Sequence, residues 1–174
     1  AISKAIDGIQ RGMMYVIASL PKVGKSTFVN YAFIISPYLY SLENPSVKIR
    51  WIYYSWEMDR VTMEFDYVCH FLYSDYRISR IDLPPGVTHE GKPYIDISSS
   101  FIRGQKKDDN NNIILVPEFL YEKIKIIYNE RIVPLFGEYS ESGVLIKRGL
   151  IDFIDRADNP TGIYKNILNF ADAR

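Results

Sequence analysis

One cysteine and two histidines in 174 residues leave this chain no internal disulfide and little material for a zinc centre. The lone thiol, Cys69, fits a reducing compartment, and its place in a helical pattern predicts a core residue. Charge of one sign is also lacking. The 21 basic and 21 acidic residues cancel, so the overall field neither favours nor excludes a nucleic-acid partner, which a local basic patch or a ring of subunits would have to serve. No stretch approaches the ~20 apolar residues of a membrane-spanning helix. Tyr31 to Leu42 comes nearest and is broken by Pro37 and two serines. No signal-peptide pattern is visible, and the opening at Ala1 without a methionine is expected of a fragment or a processed end. A hydrophobic fraction of 47% and this length predict one α/β unit with a substantial core.

Against that background one segment carries chemistry. Met13 to Ala18 is an apolar run that predicts a buried strand, Ser19 to Val23 a tight loop, and Gly24-Lys25-Ser26-Thr27 the start of an apolar helix through Phe28, Val29, Tyr31, Ala32, Phe33, Ile34 and Ile35. A nucleoside triphosphate needs converging backbone N–H donors, the positive end of a helix dipole, an ammonium group and a hydroxyl for a divalent cation. The order of strand, loop and helix supplies all four. Gly24, Lys25 and Ser26 stand where the phosphate-loop pattern requires them, with Lys25 at the terminal phosphates and Ser26 on magnesium. The first glycine of the pattern is replaced by Ser19, a small residue that fits if its backbone angles stay in a region open to non-glycine residues. Gly-Lys-Ser-Thr is also an ordinary helix start. The flanking apolar strand and helix favour the phosphate cradle.

Beyond the loop, the helix is expected to stop near Ser36-Pro37 and Asn44-Pro45 to mark a turn. Val47 to Tyr54 reads as a strand ending in Ser55-Trp56-Glu57-Met58. Asp59 then caps a helix with Val61, Phe65, Val68 and Leu72 on one face. This β-α-β-α order predicts a parallel sheet with crossover helices. The middle is punctuated by Pro84-Pro85-Gly86, Gly91-Lys92-Pro93 and the polar run 105–112, with short strands at Tyr94 to Ile97 and Ile113 to Val116, as in an inserted hairpin. Pro117 begins a helix carrying Leu120, Ile124, Ile127 and Tyr128 on one face, and Glu122 is spaced to pair with Lys125 on the other. Ile132 to Phe136 is a strand candidate weakened by Pro134. Ser140 to Gly143 turns a second hairpin, Leu150 to Ile154 is a strand, and Asn159-Pro160-Thr161-Gly162 opens a last helix of Ile163, Ile167, Leu168 and Phe170.

Hydrolysis needs a carboxylate that orients water. Glu57, at the carboxyl end of the strand after the loop helix, stands at the edge where open α/β sheets place ligands, and it equally suits the positive end of the next helix. Asp96 and Asp152 each follow only two apolar residues of their strands and are expected to be edge or turn residues. His70 is expected at the surface, and His89 lacks a partner at metal spacing. The aromatic residues Tyr38, Tyr40, Trp51, Tyr53, Tyr54 and Trp56 have the faces to stack on bases, but in these patterns they read as core.

Ile9-Gln10-Arg11-Gly12, the strand, and Ala18 to Phe28 together resemble the ATPase domain of DnaB-type replicative helicases, in the RecA-like P-loop class. That family also places a small non-glycine residue where Ser19 stands and proline where Pro21 stands. Ser55-Trp56-Glu57-Met58 matches its next motif, with Trp56 for the usual leucine, and Asp155 to Ile163 is similar to the segment before its Walker B strand. The resemblance implies a mainly parallel sheet with flanking helices and inserted hairpins, incomplete at the C-terminus, with an insertion at about 84–149 as in divergent, phage-borne relatives. It implies ATP and Mg2+ bound by Ser19, Leu20, Pro21, Lys22, Val23, Gly24, Lys25, Ser26 and Thr27, with Ser26 on the metal. Glu57 and Lys25 are then the catalytic residues. It further implies a bacterial or phage-infected cytoplasm, a homo-oligomeric ring, six-membered in this family, and movement on single-stranded DNA. The Walker B aspartate, DNA loops and arginine finger would fall after Arg174, so 1–174 alone is not expected to hydrolyse ATP or unwind DNA. A recombinase or clock-type RecA relative is the alternative. A small P-loop kinase would need an arginine-rich lid that the residues after Glu57 do not offer.

Overall fold

The structure is a computed structural model that describes residues 16–18, 20, 23–55, 57–154 and 159–172. It is mixed α/β and divides into two compact units, 1–49 and 50–174.

The described part of the first unit is dominated by one long helical run. Helix α1 (Lys25–Asn30) passes into a π-helical turn (Tyr31–Ile35) and then into α2 (Ser36–Glu43). The expected stop at Ser36-Pro37 does not occur. Proline lacks an N–H and its ring strikes the carbonyl four residues back, which normally ends a helix. Here the preceding turn is widened, with the Ser36 N–H donating to the Tyr31 carbonyl, and Pro37 falls in the first turn of α2, where a missing N–H is tolerated. The run buries Ile34, Ile35 and Tyr38. It ends at Asn44, whose side-chain amide donates to the Tyr40 carbonyl at 2.9 Å, ahead of the expected turn at Pro45. Val16 to Ala18 correct a second expectation. They pair in no strand among the described residues and are exposed, Val16 at 78%. An apolar run becomes a strand only where a ladder partner exists, and pattern alone does not supply one.

The second unit is built on a parallel pair, β1 (Trp51–Tyr54) and β6 (Ile151–Ile154), in register from Trp51 opposite Ile151 to Tyr54 opposite Ile154. Strands so far apart in sequence pair in parallel only through a crossover, and everything from α3 (Arg60–Tyr76) to β5 (Leu145–Arg148) lies within that connection. Helix α3 forms the core. Met63, Tyr67, Val68, Phe71 and Leu72 are each at most 2% exposed, every such side chain contributing about 1.5–3 kcal/mol of burial. Half of the expected stripe holds: Val68 and Leu72 are buried, whereas Val61 is 41% exposed, Phe65 is half-buried, and Met63, Tyr67 and Phe71 add a second buried row. Both rows have helical spacing, and the neighbours decide which positions are covered. Tyr67 meets Phe136 edge-to-face at 5.4 Å, and Arg131 lies 5.8 Å over Phe71.

The crossover contains the antiparallel hairpin β2 (Arg80–Asp82) and β3 (Tyr94–Asp96), the short α4 (Ser99–Ile102) and α5 (Glu118–Ile127) capped by Pro117. On α5, Leu120 and Ile127 are buried as expected, whereas Tyr128 is 38% exposed. Ile113 to Val116 forms no strand. A single bridge joins Ile113 to Lys107, because Asp108 gathers the loop on itself by accepting from the amides of Asn110 and Asn112. Ile132 to Phe136 is helical rather than extended. A second π turn (Tyr128–Ile132) precedes α6 (Val133–Phe136), with Pro134 in its first turn, the device already seen at Pro37. The second hairpin, β4 (Gly137–Tyr139) with β5, turns at 140–143, and α7 (Pro160–Asp172) begins where Asn159 accepts from the Gly162 amide at 2.8 Å. The side chain of Phe170 lies outside the described residues.

Candidate functional site

Two segments carry the expected chemistry, one in each unit. In the first, Gly24 is the N-cap of α1 at φ 84°, ψ 21°, a left-handed conformation that costs an L-residue about 1–2 kcal/mol. The Phe28 N–H donates to the Gly24 carbonyl at 2.9 Å, the first helical bond. Among the described residues no side chain caps this end, and there the first-turn amides of Lys25, Ser26 and Thr27 suit solvent or an anion. Gly24, Lys25, Ser26 and Thr27 are all exposed, as are Leu20 at 78% and Val23 at 62%. A Cβ built on Gly24 meets nothing within 4 Å, so the space beside the helix start is open to a phosphate group. These features fit a triphosphate: a backbone turn only glycine adopts cheaply, amides at a helix start, an ammonium and a hydroxyl. Ser19, Pro21, Lys22 and residues 9–15 lie outside the described residues.

In the second segment, Ser55 is buried directly after β1. Its amide donates to the Ile154 carbonyl at 2.9 Å, extending the parallel ladder. Its hydroxyl donates to the Met58 carbonyl at 2.6 Å and accepts from the Met58 amide at 3.1 Å. That reciprocal pair folds 55–58 into a tight turn and leaves Glu57 exposed on its outside, at the carboxyl end of the parallel pair. Asp59 then caps α3, accepting from the Thr62 amide at 2.7 Å, and this bond holds its carboxyl below the usual range. Trp56 and Asp155 lie outside the described residues.

Next to Glu57 is a cluster that the sequence reading did not single out. Arg60 pairs with the buried Glu64 one turn on, and its guanidinium lies 3.7 Å from the centre of the Tyr139 ring on β4. Burial raises the Glu64 pKa, with Arg60 opposing. The i,i+4 spacing of Arg60 and Glu64 was the available signal. Asp152 accepts from Arg50 at 3.0 Å and Arg148 at 2.5 Å, so its carboxylate ties the start of β1 and the end of β5 to β6. Expected at a strand edge or a turn, Asp152 lies inside β6 opposite Ile52. His70 is partly buried against Phe71 at 5.4 Å, and burial lowers its pKa, so it is less of a surface residue than expected. The His89 Nδ1 lies 2.6 Å from the Lys107 carbonyl. Among the described residues no three His, Cys, Asp or Glu side chains gather for a metal, and magnesium held by one hydroxyl and phosphate oxygens requires no such group. No described helix is long and apolar enough to cross a membrane. No family model, curated protein or solved structure matches this chain.

Proposed function

We propose that this chain carries the ATP-binding part of a DnaB-like replicative helicase motor, in which ATP hydrolysis drives movement along single-stranded DNA. The observation that carries the reading is the left-handed Gly24 opening an exposed helix start on Lys25, Ser26 and Thr27. The Ser55 turn that leaves Glu57 outside at the end of a parallel strand supports it.

On this reading the amides from Leu20 to Lys25 wrap the phosphates. Lys25 neutralises the terminal ones, Ser26 supplies a hydroxyl to Mg2+, and Glu57 orients the attacking water. Magnesium, when bound, neutralises charge building on the phosphate oxygens. Subunits assemble in a ring in a bacterial or phage-infected cell, and ATP sits between neighbours. The fold is then RecA-like, with 84–149 an insertion.

The test is Lys25→Ala in the complete protein, with ATP affinity measured by calorimetry. Binding should fall by at least ~100-fold, since a charge-assisted contact to phosphate is lost. Unchanged affinity removes the cradle. DNA-stimulated ATPase activity with strand separation supports the helicase, and filament formation without unwinding favours a recombinase-type relative.

A further inference from the structure

The second unit carries an apolar cavity of about 500 Å3 that the proposed motor chemistry does not use. Binding cavities typically span ~300–1,000 Å3 and are mostly apolar with a few polar groups. The buried Ile81, Ile95 and Phe101 supply apolar lining, and two carboxylates, Asp82 and Asp108, border it with no basic residue in the lining among the described residues. A cation suits that rim.

Two stretches of consecutive residues line the cavity, 81–84 and 113–115. Successive side chains of an extended chain point to opposite faces, so a run of neighbours borders a cavity with its main-chain edge and not with one face. Main-chain groups stay open in both stretches. The Leu83 amide donates to the Pro93 carbonyl and the Ile97 amide to the Ser79 carbonyl, so odd-numbered residues of β2 bond across the hairpin and the N–H and C=O of Asp82 point away from β3. No other strand pairs with β2 among the described residues. In the second stretch the Ile114 amide donates to the Lys106 carbonyl, whereas the amides of Leu115 and Val116 donate to no backbone carbonyl among the described residues. Ile113 is 57% and Leu115 79% exposed. An extended peptide answers apolar lining, acidic rim and open main-chain groups at once. A small apolar amine would leave the main-chain groups unanswered.

We propose that an extended segment of a partner protein, apolar at alternating positions and carrying a lysine or arginine, adds to the free edge of β2 and sets its side chains in this cavity. In such strand addition main-chain hydrogen bonds supply affinity and pockets supply selection. The three residues of β2 give ~10 Å of edge, and this shortness, with the charges of Arg80 and Asp82, restricts indiscriminate pairing. The site lies in the second unit and does not depend on the nucleotide cradle.

Selection of displayed random heptapeptides on the immobilised chain, followed by fluorescence anisotropy of the synthetic peptides recovered, tests it. Recovered sequences should alternate apolar residues and include a lysine or arginine. Leu115→Asp should weaken their binding by at least ~10-fold, as should exchange of the peptide's basic residue for glutamate. Leu115 is exposed, so the variant should keep the wild-type thermal transition. N-methylation of the peptide decides the mode, because alternate amides of an added strand face the edge it pairs with: methylating that set should abolish binding, and methylating the other set should leave it nearly unchanged. Recovered sequences no richer in this pattern than the unselected library, unchanged binding to Leu115→Asp, or equal effects of the two methylated sets overturns the proposal.

Discussion

Gly24 and Gly137 hold nearly the same positive φ, 84° and 91°, for opposite reasons. Around Gly24 the space is empty: an added Cβ would touch nothing within 4 Å. Around Gly137, where the second hairpin leaves the core, it would lie 2.4 Å from the Lys147 carbonyl oxygen and 3.0 Å from the Gly149 nitrogen. Gly149 has no room either, with the Gly137 nitrogen and the Leu135 carbonyl oxygen each at 2.4 Å. One glycine serves packing and the other serves a conformation that faces open space. Open space beside a helix start is what a phosphate group requires, and filled space fixes a hairpin.

Alanine substitution sharpens that contrast and should give the largest stability effect in the molecule. Gly137→Ala adds a backbone collision to the penalty of a φ 91°, ψ 177° conformation open essentially only to glycine and should lower unfolding free energy by about 3 kcal/mol or more in a urea titration. Gly24→Ala meets only the conformational term, about 1–2 kcal/mol, borne at the exposed end of α1, and should move the global transition far less. Under the proposed function it should nevertheless weaken ATP binding, because the new methyl group enters the phosphate niche. Equal stability losses at the two glycines would mean that the niche at Gly24 is structural.

The same contrast shows which parts of the fold were legible in the sequence. Local chemistry read well: Asp59 and Asn159 both cap the helices expected of them, 140–143 turns the expected hairpin, and Ile151–Ile154 is a strand, as is Trp51–Tyr54, the second half of the strand expected over Val47 to Tyr54. Each depends on groups within a few residues, or on a β-branched and aromatic run that pairs wherever it finds an edge. Prolines misled. Pro37 and Pro134 normally stop a helix, yet each follows a π turn that shifts the hydrogen-bond register just before it, and no side chain announces such a turn. The second buried row on α3 was hidden for another reason. Val61 and Met63 are both apolar, and the choice between their faces was made by Phe136, about seventy residues away. At the candidate site the residue types were readable, as was the position of Glu57 after its strand. The Ser55 to Met58 bonds that hold its turn were not.

A smaller effect separates two helix starts, one in each unit: that of α1 at Gly24 and that of α3, capped by Asp59. Asp59→Ala should cost about 1 kcal/mol at neutral pH, the usual loss for a capping carboxylate. Because the Asp59 carboxyl is held below its unfolded value of about 3.9, the stabilisation is present above that pH and is lost as pH falls through the folded value. The difference between wild type and variant should therefore shrink below pH ~4. A gap that stayed constant down to pH 2 would assign the loss to helix propensity instead of the cap. No comparable acid-dependent term should attach to the start of α1.

The smallest effect concerns Cys69, whose setting in the packed unit contrasts most with the exposed Lys25. Burial, aided by the negative charge of Asp66, pushes its thiol up to about 12. Thiolate is the reactive form, so alkylation by iodoacetamide at pH 8 should run more than ~100-fold slower in the native protein than in urea. The sign of the linkage follows. A thiol with a raised folded pKa contributes stability that is fully present below its unfolded value of about 8.5 and is lost as pH rises toward 12. Replacement of Cys69 by serine should remove that alkaline slope while leaving stability at pH 6 lower by the packing lost. Equal alkylation rates in native and unfolded chains would mean that the helix around Cys69 opens locally, and the packed unit would then share the accessibility seen at the Gly24 loop.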